Sequence, residues 1–125
     1  MSTSILTEIV DNVFIITLNR PERKNAFDDE MLDAWVAALE EAKQNNDVHV
    51  IVLTGAGDAF CAGGDLQEIQ GLDPEIALDT KNKLWTNIHR IPLALRDIDK
   101  PVICAINGVA VGAGMDMALM TDIRL

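Results

Sequence analysis

Two apolar strand-type runs each empty into a turn of very small residues, and this repeat limits the possible folds more than any other feature. Val102-Ile103-Cys104-Ala105-Ile106 leads into Asn107-Gly108-Val109-Ala110-Val111-Gly112-Ala113-Gly114, and an apolar helix-type segment, Met115 to Met120, leaves it. Earlier, Val48-His49-Val50-Ile51-Val52-Leu53 passes through Thr54-Gly55-Ala56-Gly57 to Phe60-Cys61-Ala62-Gly63-Gly64-Asp65-Leu66. A strand, a small-residue turn and a helix expose backbone N–H groups at the helix start. Such donors hold an anion or a developing oxyanion. Two turns of this design predict a site whose donors come from separate loops.

The rest of the pattern surrounds these turns with alternating strands and helices. Ile5 to Val10 and Val13 to Leu18 read as strands joined by the hairpin turn Asp11-Asn12. A polar loop with Pro21 follows. A helix then starts at an Asp28 or Asp29 N-cap, with Met31, Leu32, Trp35, Leu39 and Ala42 on one face. After the first turn, Leu66 to Gln70 reads as a short helix. Asp73-Pro74-Glu75 reads as the start of a helix reaching about Leu95, kinked or ended by Pro92. A strand at 102–106, a helix from Ala113 and a strand opening at Asp122 complete the order. Such alternation predicts an α/β domain with largely parallel pairing, one domain over residues 1–125. Trp35 and Trp85 are expected in the core, and His49 is expected to face outward.

Bulk properties narrow the function classes. The chain carries 20 acids against 10 bases, a net charge of −10, which argues against non-specific nucleic-acid binding. No stretch is long and apolar enough to span a membrane. The start, Met1-Ser2-Thr3-Ser4, lacks a basic region and a signal core, so a cytoplasmic location is expected. Cys61 and Cys104 belong to no CxxC motif; they read as small buried hydrophobes, and no metal site is expected. Arg20, Arg23 and Lys24 gather in the first loop, either as a solvated basic turn or as a local site for an anionic ligand. Gly55-Ala56-Gly57 opens like a dinucleotide fingerprint. The third glycine position is Phe60, however, so Rossmann-type binding is not expected.

Four segments in order resemble the crotonase (enoyl-CoA hydratase/isomerase) superfamily. They are Leu18-Asn19-Arg20-Pro21-Glu22-Arg23-Lys24-Asn25-Ala26-Phe27, Ala59-Phe60-Cys61-Ala62-Gly63-Gly64-Asp65-Leu66, Lys100-Pro101-Val102-Ile103-Cys104-Ala105-Ile106-Asn107-Gly108, and Asp122-Ile123-Arg124. The resemblance implies a crotonase-like superhelix of strand-strand-helix turns. Subunits of that family are about twice as long, so the chain reads as truncated, an N-terminal part.

The resemblance also implies a chemistry. The substrate is an acyl-CoA thioester, with coenzyme A entering as part of the substrate and no permanently bound cofactor. The backbone N–H groups of Gly64 and Ala113 form the oxyanion hole, and they should converge on one cavity, a few ångströms apart and aimed at one point. The family's second donor is usually the middle glycine of a Gly-Gly-Gly run; here the run is Gly112-Ala113-Gly114. A backbone donor does not need glycine if the methyl fits the required φ/ψ. Asp116 stands where hydratases of the family carry Glu and some dienoyl-CoA isomerases carry Asp. It reads as a proton-transfer group, or as an Asp favoured by the helix dipole. The family's second catalytic carboxylate falls past residue 125.

Arg23, Lys24 and Ala26 are implied near the nucleotide, with backbone groups of Ala26 and Ala62 touching adenine or pantetheine. Asp65, beside the Gly64 donor, belongs to the implied binding segment and also reads as a helix cap. His89 lies in a region where some thioester hydrolases and dehalogenases of the superfamily carry a functional His; otherwise it is a surface residue. A homo-oligomer, trimer or hexamer, is implied for the family. The competing readings are a non-catalytic acyl-CoA-binding module and another crotonase chemistry, thioester hydrolysis or dehalogenation.

Overall fold

A computed structural model describes residues 3–67 and 77–125. The expected hairpin forms as β1 (Ile5–Val10) and β2 (Val13–Leu18), antiparallel, with Asp11 and Asn12 both at positive φ in the turn. Asp and Asn tolerate the left-handed region that such a two-residue turn requires. From β2 the sheet grows by parallel pairing through β3 (Val50–Gly55) and β5 (Val102–Cys104) to β7 (Ile123–Arg124). Its order is β1-β2-β3-β5-β7.

Strand alternation puts one face of this sheet in the core. Phe14, Ile51 and Val102 sit in register across three strands, as do Ile16, Leu53 and Cys104, and all six are buried. Helix α1 (Asp29–Gln44) lies in the same core with Met31, Leu32, Trp35, Ala38, Leu39 and Ala42 buried. Asp28 caps it, its side chain accepting the Met31 N–H at 2.9 Å. Trp35 is wholly buried, as expected.

A second sheet pairs β4 (Ala59–Cys61) with β6 (Val109–Ala110) in parallel. Sequence periodicity does not reveal it, because strands of three and two residues show no alternation to read. With it, the chain runs β1-β2-α1, then β3-β4 and helix, then β5-β6 and helix, before β7. This is the strand-strand-helix superhelix that the resemblance implies.

The region before residue 97 differs from the expected single helix. It is built as α2 (Ala77–Lys83), a π-helical turn over Leu84–Ile88, and α3 (Arg90–Arg96). The His89 N–H donates to the Leu84 carbonyl at 2.9 Å, an i→i+5 bond that inserts an extra residue into the turn. Pro92 thus falls in the first turn of α3, where its missing N–H costs nothing. The slip also corrects the expectation for Trp85. This residue is 69% exposed, turned outward and edge-on to His89 rather than in the core. The expected start at Asp73-Pro74-Glu75 and most of the short helix at 66–70 lie outside the described residues.

Smaller boundary shifts have simple causes. The strand expected from Val48 begins at Val50, because the His49 N–H is taken by the Asn12 carbonyl of the hairpin turn. His49 is exposed, as expected. The strand expected to reach Ile106 ends at Cys104, although Ala105 and Ile106 still bond Leu53 and Leu125. Among the described residues no helix is long and apolar enough to cross a membrane.

Candidate functional site

The first small-residue turn is held from the side by the basic loop. Pro21–Arg23 forms a single 3-10 turn, and Lys24 and Asn25 follow at positive φ. This reversal lays Lys24 to Phe27 alongside 62–65. The Ala62 N–H donates to the Lys24 carbonyl, the Phe27 N–H to the Gly63 carbonyl and the Asp65 N–H to the Phe27 carbonyl, at 3.0, 2.8 and 2.9 Å. Along an extended strand, neighbouring residues turn their polar groups to opposite sides. Since the Gly63 carbonyl and the Asp65 N–H face Phe27, the Gly64 N–H faces away from it.

Buried polar side chains lock that loop. Asn25 is fully buried; its side chain donates to the Ala56 and Ala59 carbonyls at 2.9 and 2.8 Å and accepts the Arg20 N–H at 2.8 Å. The Arg20 guanidinium donates to the Ala26 carbonyl and to the Asp65 carboxylate, and lies 3.6 Å from Asp28. Asp65 also accepts the Gln67 N–H at 2.8 Å, a capping bond of the expected kind. That bond, with help from Arg20, holds the Asp65 carboxyl below the usual carboxylate range.

The second turn is shaped by glycines. Asn107 reaches across to the first loop: it accepts the Gly55 N–H and donates to the Gly57 and Ala59 carbonyls, each at 3.1 Å. Gly112 takes φ 56° and ends the turn, so helix α4 (Ala113–Leu119) starts at Ala113. Ala113 is itself helical, so the alanine in place of the usual middle glycine meets no backbone conflict. At Gly114 a Cβ would lie 2.2 Å from the Cys61 carbonyl oxygen, so α4 can meet β4 only with glycine there. Burial pushes the Cys61 thiol up to about 11, opposed in part by the Gly63 backbone, and Cys104 is raised by burial to about 11 as well.

The two turns abut. The Val111 N–H donates to the Cys61 carbonyl at 3.1 Å, and a Cβ placed on Gly63 would sit 3.5 Å from the Ala113 nitrogen. Among the described residues, neither the Gly64 nor the Ala113 N–H donates to the backbone. Among the described residues, cavities flank this contact on either side. One, of about 240 Å³, is lined by Arg23, Lys24, Ala26, Ala62, Gly64, Asp65 and Leu66. The other, of about 410 Å³ and mostly apolar, is lined by Leu84, Ile88, His89, Pro92, Met117 and neighbouring residues, with Ala113 and Asp116 among them.

The residues singled out in the sequence therefore divide into two groups. Arg23, Lys24, Ala26, Ala62, Gly64 and Asp65 share the smaller, basic cavity, and Ala113 and Asp116 share the larger one with His89, so these two cavities do not unite Gly64 and Ala113 as expected. Lys24 is already engaged, its ammonium bonding both carboxylate oxygens of Asp58. Sequence reasoning missed Asn25 and Asn107 as organisers. An Asn-Gly pair at 107–108 signals a turn, but not that its side chain ties two loops together.

The model of the enoyl-CoA hydratase/isomerase family matches residues 8–125. A probable enoyl-CoA hydratase of Mycobacterium tuberculosis is 39% identical over 121 residues, covering 97% of this chain and 46% of that protein. The 1,2-epoxyphenylacetyl-CoA isomerase of Escherichia coli is 38% identical over 130 residues, covering 98% of this chain and 47% of that protein. A crystal structure of an enoyl-CoA hydratase/carnithine racemase from Magnetospirillum magneticum superposes with a TM-score of 0.90 at 32% identity, over 99% of this chain and 46% of that one. The chain spans about half the length of these relatives.

Proposed function

This chain belongs to the enoyl-CoA hydratase/isomerase family, and from that membership we propose that it binds an acyl-CoA thioester and polarises its carbonyl with two backbone donors, Gly64 and Ala113. The observation that carries this reading is the contact of the two turns. Each brings one N–H that no backbone acceptor among the described residues uses, and the turns meet between a basic cavity and an apolar one. A thioester carbonyl at that junction would send its nucleotide toward Arg23 and Lys24 and its acyl group toward Leu84, Ile88 and Met117.

The chemistry follows from charge development. Adding water or moving a double bond next to a thioester passes through an enolate whose negative charge sits on the thioester oxygen. Two fixed N–H groups stabilise that charge by a few kcal/mol each, and the start of α4 adds its dipole. Asp116 lies one turn from Ala113 on the same cavity and serves as a proton-transfer group. In a hydration, hydroxide and proton add across the double bond, so one carboxylate must be joined by a second proton donor or acceptor. Coenzyme A enters with the substrate, and no other cofactor takes part. The same reading carries a homo-oligomeric assembly and a cytoplasmic setting.

The test fuses residues 1–125 to the second half of a relative and assays hydration and isomerisation of enoyl-CoA substrates. Asp116→Asn in that fusion is expected to lower kcat by roughly 10²–10⁴-fold, the usual contribution of a positioned acid or base. Unchanged kcat would make Asp116 structural. Failure of both the fusion and the isolated chain to bind CoA would remove the acyl-CoA reading altogether.

A further inference from the structure

We propose that Asp58 sets the affinity of the basic cavity: its carboxylate holds Lys24 as a stand-in for a phosphate, and a phosphorylated ligand must displace it. This rests on the acyl-CoA reading above. The Lys24 ammonium bonds both oxygens of Asp58, at 2.9 and 2.8 Å, the pairing a phosphate would make with the same group. Lys24 also lines the cavity together with Arg23.

The pair is built to exchange rather than to hold the fold. Its side chains are 56% and 76% exposed, and an ion pair in water adds little to stability. The backbones beneath it are fixed independently. The Lys24 carbonyl accepts the Ala62 N–H, and the Lys24 N–H donates to the Pro21 carbonyl. At the other partner, Gly108 packs against the Asp58 carbonyl so closely that a Cβ would lie 2.1 Å from its oxygen. The pair can therefore open by side-chain rotation, without moving either backbone. Lys24 holds the Asp58 carboxyl below its usual range, so it is ionised at neutral pH. Among the described residues lining this cavity the carboxylate is Asp65, which is engaged by Arg20, whereas Lys24 bonds Asp58.

The test measures binding of CoA, dephospho-CoA and pantetheine to the 125-residue chain by calorimetry, for wild type, Asp58→Asn, Lys24→Met and the double variant. Asp58→Asn is expected to bind CoA about 3- to 5-fold more tightly, a gain that shrinks in high salt and vanishes for phosphate-free pantetheine. In the Lys24→Met background, Asp58→Asn is expected to add little, since the competition has lost its object. A gain confined to CoA over dephospho-CoA would place the contested phosphate on the ribose; an equal gain for both would place it on the pyrophosphate, and either supports the proposal. Unchanged or weaker CoA binding by Asp58→Asn, with wild type binding CoA, would overturn this inference alone and make the pair a clamp. Absence of CoA binding by both proteins would overturn the acyl-CoA reading as well. Both substituted side chains are exposed, and a thermal melt of each variant separates lost binding from lost fold.

Discussion

The two turns do the same geometric job by different means. The turn at 61–65 is held by side chains brought from far away in sequence, Arg20, Asn25 and the Phe27 backbone. The turn at 110–114 is held by close contact, with Gly114 against the Cys61 carbonyl and Gly112 at positive φ. Both carry a glycine at positive φ, Gly63 and Gly112, but the first leans on buried polar bonds and the second on the absence of a Cβ at Gly114. Their failures should therefore differ in size and in what rescues them.

The largest expected effect is at Gly114. Its Cβ would meet a backbone oxygen, which cannot rotate away, so Gly114→Ala must push α4 off β4. A loss of about 3 kcal/mol in a urea titration is expected, with the proposed CoA binding lost alongside. A loss under about 1 kcal/mol would mean that the second turn relaxes easily, and close packing would not be what holds it.

Next is Arg20 on the first turn. Arg20→Met leaves the buried Asp65 carboxylate without its guanidinium, at a cost of roughly 2–3 kcal/mol at neutral pH. The pH dependence checks the cause. Because the folded Asp65 carboxyl is depressed, its contribution is present above the ordinary carboxylate pKa and disappears as pH falls through the folded value. The gap between wild type and Arg20→Met should narrow in acid. A gap that stays constant to low pH would show that Arg20 acts through the Ala26 carbonyl alone.

Cys61 lies where the two turns touch. Its folded thiol is raised from 9.0 to about 11, so the folded chain keeps a proton that the unfolded chain releases. Stability is complete below pH 9 and falls as pH climbs through 11. Two units correspond to roughly 2–3 kcal/mol, an upper figure for this one group. Cys61→Ala should flatten that alkaline decline; an unchanged slope would assign it elsewhere.

Gly112 gives the smallest effect. Among the described residues a Cβ there meets nothing within 4 Å, so it is the backbone conformation, φ 56° with ψ −132°, that resists substitution. Gly112→Ala and Gly112→Asn should each cost about 1 kcal/mol, because a ψ of −132° puts this residue outside the left-handed helical region that Asn tolerates. If both substitutions cost nothing measurable, conformational preference is not what selects glycine at this position.

Much of this was legible beforehand, for reasons visible in particular residues. Phe14, Ile16, Leu18, Ile51 and Leu53 alternate as a half-buried strand must, and Met31 to Ala42 repeat at helical spacing. Asp28 caps where a capping residue should. The short sheet of β4 and β6 was not legible, because its strands are too brief to carry a period. Trp85 was misplaced because a π turn changes the helical face without leaving a mark in composition. On the candidate site, motif order located both turns and the basic loop, while the roles of Asn25, Asn107 and Asp58 became visible only through contacts spanning 34 to 52 residues.

Local chemistry determined the strands, the capped helix, the hairpin and the small-residue turns, since each follows from periodicity or from one residue's φ and capping preferences. Tertiary structure decided which turn meets which, how Arg20 and Asn25 are shared between loops, and that Lys24 is held by Asp58. Those outcomes depend on pairing between distant segments, where the free energy comes from burial and hydrogen bonds that no short window of sequence contains.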